Sequence, residues 1–135
     1  MQNFVQITVG VLLAVGLILV VRRIGDYRRE TAVYSFGLIA AALIYFGFGM
    51  FSDSFGWKLT ELGGLLIYAF FAILGLRYSA WFLSGGWFLH VFWDVFLHDH
   101  STAFVPFWYP KMCLGFDLAV AGYVGFRERR IKAKR

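Results

Sequence analysis

The chain has 135 residues, of which 60% are hydrophobic, 21% aromatic and only 16% charged, with a formal net charge of +5. A soluble domain typically carries about 45–50% apolar and about 25% charged residues, so this composition belongs to the membrane class. The single cysteine, Cys113, excludes an intrachain disulfide framework, and the basic residues cluster beside apolar segments, where anionic lipid headgroups are nearer partners than nucleic acid.

A spanning helix needs about 20 mostly apolar residues. Five segments meet or approach that length, at about residues 3–21, 31–51, 59–76, 80–97 and 108–126. The opening Met1-Gln2-Asn3 lacks a positive n-region, so the first segment reads as a retained helix and not as a signal peptide. The fifth is the least apolar, because Lys111 sits near its start and Asp117 interrupts it. The connections are short, and the pattern predicts an all-α integral membrane bundle of five transmembrane helices in one embedded domain.

Orientation follows from the Lys and Arg residues. In a five-span arrangement eleven of the thirteen fall on one side, leaving only Lys58 and Lys111 opposite. Cytoplasmic enrichment of these residues places the amino terminus outside and the carboxyl terminus inside. The tail from Arg127 to Arg135 then reads as an orientation signal and an anchor to anionic lipid. Small residues four apart, Gly10 with Ala14, Gly37 with Ala41 and Gly115 with Ala119, predict close helix crossings.

The fourth segment carries His90, Asp94 and His98 at four-residue spacing. With His90 at zero and about 100° per residue, Asp94 falls near 40° and His98 near 80°, in the sector of Leu83, Gly86 and Trp87. Phe88, Phe92, Val95 and Phe96 occupy the opposite sector, so the polar stripe must look into the bundle. Ionisable groups inside a span cost several kcal/mol unless they meet partners, water or an ion. At about 1.5 Å per residue, His90 lies roughly 12 Å and Asp117 roughly 13 Å below the outer boundary on consecutive antiparallel helices.

Imidazole and carboxylate are ordinary ligands of zinc, and iron or manganese accepts the same set. The pattern favours a metal site formed by His90, Asp94 and Asp117, with His98 as a fourth ligand or as the catalytic acid or base. Glu61, at the start of the third segment, reads equally as a partner of the helix dipole or as a site member. His100 reads equally as a loop residue or a ligand, and Cys113 reads first as a small buried apolar residue and second as a ligand. Two alternatives stand beside the metal site: mutual pairing that only holds helices together, and a proton or cation relay.

The segment His90-Val91-Phe92-Trp93-Asp94-Val95-Phe96-Leu97-His98, with Pro106-Phe107-Trp108-Tyr109-Pro110 and Cys113-Leu114-Gly115-Phe116-Asp117, resembles an uncharacterised family of small bacterial membrane proteins. The shared features are a Trp-Asp pair ahead of His, a Trp-Tyr-Pro turn and a Cys-x-Gly-Phe-Asp run, over about the last third of the chain. The resemblance picks out Trp93, Asp94, His98, Trp108, Tyr109, Cys113 and Asp117 and implies a polytopic protein of the bacterial inner membrane, with no activity attached.

The expectation is therefore a small metal-binding membrane protein, and in its sharper form a metal-dependent hydrolase of an amphipathic substrate, enclosed by an aromatic wall of Trp87, Trp93 and Trp108. A proton- or cation-coupled transporter working as a homo-oligomer, or a scaffold subunit without a site, are the competing expectations. Metal content separates the three.

Overall fold

The computed structural model describes residues 1–98 and 103–134. Among them are five helices and no strand: α1 (Gln2–Arg22), α2 (Tyr27–Gly49), α3 (Phe55–Arg77), α4 (Ala80–Phe92) and α5 (Tyr109–Lys132), with α4 running directly into a π-helical turn, Trp93–His98. Local chemistry explains the breaks. Asp26, Ser54 and Ser79 stand before α2, α3 and α4, and each side chain accepts a hydrogen bond from a first-turn N–H. Gly25 adopts a φ of 69°, which lets the chain reverse between α1 and α2. Pro110 sits in the first turn of α5, where its missing N–H costs nothing.

α1, α2, α3 and α4 with its π-turn are long and apolar enough to cross a membrane. The expected fifth span is a helix, but it is not in that set, because Lys111, Asp117 and the basic residues beyond Phe126 dilute its apolar run. It also extends further than expected, to Lys132, so most of the basic tail is helical. The distribution of side chains is inverted relative to a soluble protein. Phe4, Leu12, Phe36, Leu66, Phe70, Phe88 and Phe96 face outward, while Glu61, His90, Asp94 and Asp117 are almost wholly buried.

Packing runs α2 against α3, α3 against α4, α4 against α5 and α5 against α1. α5 thus lies between α1 and α4, which shields its polar residues. The tightest crossing is α1 with α5: a Cβ at Gly10 would stand 1.9 Å from the Met112 carbonyl oxygen, and one at Gly115 would stand 2.1 Å from that of Ile7. No other residue fits there, as the small-residue spacing predicts for these two positions. The core below is built from Tyr34, Leu38, Tyr68, Leu83, Trp87 and Val120.

Candidate metal centre

The inward stripe on α4 and its π-turn is present: Leu83, Gly86, Trp87, His90, Asp94 and His98 are buried, and Phe88, Phe92 and Phe96 are exposed, whereas Val95, expected to face outward with them, is half-buried. α5 brings Asp117 to the same level. His90 Nδ1 lies 2.7 Å from Asp117 Oδ2 and 3.7 Å from Asp94 Oδ1. One ligating atom from each of His90, Asp94 and Asp117 falls within 4.8 Å of the others, and all three residues are buried.

Two further aromatic residues complete the surroundings. Tyr45, from α2, donates its hydroxyl hydrogen to Asp94 Oδ1 at 2.6 Å. The Tyr68 ring, from α3, meets the His90 ring edge-on with centroids 4.7 Å apart. Among the described residues neither His90 Nε2 nor Asp94 Oδ2 has a hydrogen-bond partner. Leaving such buried groups unsatisfied costs about 1–3 kcal/mol each, more when charged. An ion held by the three residues would take one nitrogen of His90 and one oxygen from each carboxylate.

The fit is chemical as well as geometric. One nitrogen and two carboxylate donors are a borderline-hard set suited to zinc, iron or manganese, and three protein ligands leave a coordination position for water or substrate. Metal–ligand bonds of about 2.0–2.2 Å hold two ligands of one ion no more than about 4.4 Å apart. Side-chain movement of well under 1 Å would therefore close the trio onto an ion. A cavity of about 220 Å³ reaches Asp94 from the side where the first turns of α1 and α5 meet the π-turn.

Other expected site residues are placed differently. His98 is not in the trio: its Nε2 lies 2.9 Å from Glu61 Oε1, at ion-pair distance, and its ring stacks on Tyr45 at 4.5 Å. The π-turn is the cause. Its wider winding replaces the α-helical geometry from which a continuous stripe was drawn, and its residues hydrogen-bond to i+5. Glu61 is no cap, since Ser54 holds that position; it is buried two turns in and accepts from Trp93 Nε1 at 3.3 Å. Cys113 is buried one turn before Asp117 and is outside the trio. His100 lies outside the described residues.

The three tryptophans occupy separate environments. Trp87 is a core residue packed on Phe116, with its Nε1–H donated to the Tyr34 carbonyl at 3.2 Å. Trp93 packs against Tyr68, and its indole lies over Gly64, where a Cβ would stand 2.5 Å from the ring. Trp108, at the start of α5, is 43% exposed and packs on Tyr109.

The tail also holds contacts that its basic run concealed. Arg127 Nη1 pairs with Glu30 Oε2 at 2.7 Å, and Nη2 donates to Thr31 Oγ1 at 2.6 Å. Buried Glu128 accepts from the hydroxyls of Tyr27 and Ser79. Burial raises the Glu128 pKa, but those hydrogen bonds and nearby Lys132 outweigh it and hold the carboxyl below its ordinary value. This polar latch ties α5 to the starts of α2 and α4. The only sequence signal for it was a glutamate within an otherwise basic run.

No curated protein and no solved structure matches the chain. A family model does, over residues 5–130, and so over nearly the whole length and not only the last third. The chain belongs to the DUF6010 family, described as a family of unknown function.

Proposed function

We propose that the chain is a single multi-pass membrane domain that holds one divalent transition-metal ion between α4 and α5 and uses it in hydrolysis of an amphipathic substrate near the outer leaflet. His90, Asp94 and Asp117 are the ligands. The observation that carries the reading is their convergence within 4.8 Å in a fully buried setting, with His90 Nε2 and Asp94 Oδ2 left without hydrogen-bond partners among the described residues. Five spans, with the amino terminus outside and the carboxyl terminus inside, are part of the proposal; the shielding of α5 between α1 and α4 supports a fifth span of lower hydropathy. Arg129, Arg130 and Lys134 remain for anionic lipid headgroups, Arg127 being engaged with Glu30 and Lys132 with Glu128 and Ser79.

When bound, the ion supplies Lewis acidity and lowers the pKa of a coordinated water. Asp94 and Asp117 provide the negative charge that retains it, and Tyr45 fixes the Asp94 carboxylate through its hydroxyl. His98, held against Glu61 and stacked on Tyr45, is assigned the acid–base role. Metal analysis of detergent-purified protein tests the reading. About one zinc, iron or manganese per chain, lost in His90→Ala and Asp94→Ala, is the expected result. Metal-free wild-type protein from cells supplied with all three ions overturns it.

A second reading has its own observation. The 2.7 Å contact of His90 with Asp117 and the Tyr45–Asp94 hydrogen bond place exchangeable protons side by side within the bundle, as a proton- or cation-coupled transporter acting as a homodimer would use. Metal-free protein whose proton uptake in liposomes vanishes in Asp117→Asn would establish it. Substitutions that only lower thermal stability would leave a scaffold subunit.

A further inference from the structure

Three aromatic side chains gather around a space that metal binding does not use. Where the chain turns from α2 into α3, Phe51, Trp57 and Phe104 line a cavity of about 480 Å³, together with Asp53, Ser52 and Ser54. The Trp57 and Phe104 rings meet edge to face, with centroids 5.6 Å apart and planes at 67°, and so form a corner. Both rings also lie against His98, at 5.7 Å and 6.2 Å, which makes the corner a cover over the His98–Glu61 pair.

Charge decides what this cavity can hold. Asp53 is exposed and makes no ion pair among the described residues. The described walls include no Lys, Arg or His, and Lys58, the nearest cation in sequence, is not one of them. The start of α3 carries about half a positive charge, which the full charge of Asp53 exceeds. Two backbone donors that could hold an anion there are already engaged: Trp57 N–H donates to Ser54 Oγ at 3.4 Å, and Ser54 N–H to Ser52 Oγ at 3.1 Å. Aromatic faces attract a cation through the ring quadrupole, tryptophan most strongly. A quaternary ammonium group has no N–H to place, so rings and one carboxylate suffice for it, whereas a primary ammonium brings three donors.

Size agrees with this choice. The volume falls within the roughly 300–1,000 Å³ of ordinary ligand pockets. A second cavity of about 290 Å³ shares Ser54 and Trp57 and adds Gly56, Thr60 and Leu97, one turn further along α3. The indole thus stands between a charged space and a less polar one, as a headgroup joined to an alkyl chain requires.

We infer that the larger cavity binds the quaternary ammonium headgroup of an amphiphile, with Trp57, Phe51 and Phe104 around the cation and Asp53 as its counter-charge. Binding stands independently of the metal; that the bound amphiphile is the substrate rests on the proposed hydrolase.

Equilibrium dialysis of radiolabelled choline against the protein in dodecyl maltoside, with EDTA present, tests the inference. Saturable binding is expected, and the neutral tert-butyl analogue of choline, which has the shape without the charge, should not displace it. Trp57→Leu should weaken binding by about tenfold and Asp53→Asn by about threefold. Dodecylphosphocholine should displace choline at a concentration at least about tenfold lower than unlabelled choline does, since even two buried methylenes supply that factor. No saturable binding, equal displacement by the neutral analogue, or an affinity unchanged in Trp57→Leu overturns the inference; should that variant fail to fold, unchanged affinity in Asp53→Asn does so. Equal potency of dodecylphosphocholine and choline overturns the amphiphile and assigns the cavity to a free quaternary amine. Metal content of the same preparations keeps the two proposals apart: bound metal without choline binding removes only the cavity, and choline binding without metal removes only the centre.

Discussion

Replacing Asp94 by asparagine takes one negative charge out of the trio while leaving the Tyr45 hydroxyl an amide oxygen to which it can donate. Two unit charges at 4.8 Å, the widest separation allowed within the trio, repel by about 3.5 kcal/mol at an effective dielectric of about 20. His90, 2.7 Å from Asp117, offsets part of that repulsion. With chelator present, Asp94→Asn is therefore expected to be as stable as wild type or more so, by up to about 3 kcal/mol. Metal reverses the advantage in the increment that it adds. At a free metal concentration a thousand times its Kd, wild type gains about 4 kcal/mol. Loss even of a group that merely supports a ligand weakens metal affinity by about 10–100-fold, so the variant gains no more than roughly 1.4 kcal/mol at the upper figure. Thermal unfolding in detergent, with EDTA and then with zinc, iron or manganese, measures both increments. A variant less stable than wild type in EDTA, with no metal increment in either protein, would refute the reasoning and make Asp94 a purely structural partner of Tyr45.

The same geometry sets three further outcomes. Gly10→Val places carbon atoms on the Met112 carbonyl and should destabilise by about 1–3 kcal/mol in thermal unfolding, whereas Gly16→Ala, whose Cβ meets nothing within 4 Å, should not. Arg127→Ala strands the nearly buried Glu30 carboxylate and should cost about 3–5 kcal/mol, against little change for exposed Arg129→Ala. Because the folded Glu128 carboxyl is held below its unfolded value of about 4.5, its contribution is complete above that pH and fades as pH falls through the lower folded value; stability measured from pH 6 to pH 3 should decline less in Glu128→Gln.

Much of the bundle was legible because its physics is local. Apolar runs of spanning length gave five helices, although α5 runs on past its expected end to Lys132, and counting the rise along two antiparallel helices matched Asp117 to His90. What stayed hidden depends on other helices. Tyr45 and Tyr68 are ordinary aromatic residues in apolar spans, and nothing in their neighbours marks them as partners of Asp94 and His90. Glu61 sits near a helix start, where the dipole offers a sufficient reason for a carboxylate, so a place in the site was only one of two readings and its pairing with His98 across the bundle was not among them. Arg127 and Glu128 were lost within a basic tail, since charge counting cannot separate residues facing lipid headgroups from residues facing Glu30 and Tyr27.

The π-turn gives the outer end of the fourth helix its own register. A π-turn winds less per residue than an α-helix, so the six residues Trp93–His98 turn through less than the same six would in α geometry. That slower winding sets where the imidazole of His98 stands against the glutamate on the neighbouring helix, apart from the trio upstream. The two histidine–carboxylate pairs are thus held apart by a local change of helical pitch as well as by residue identity.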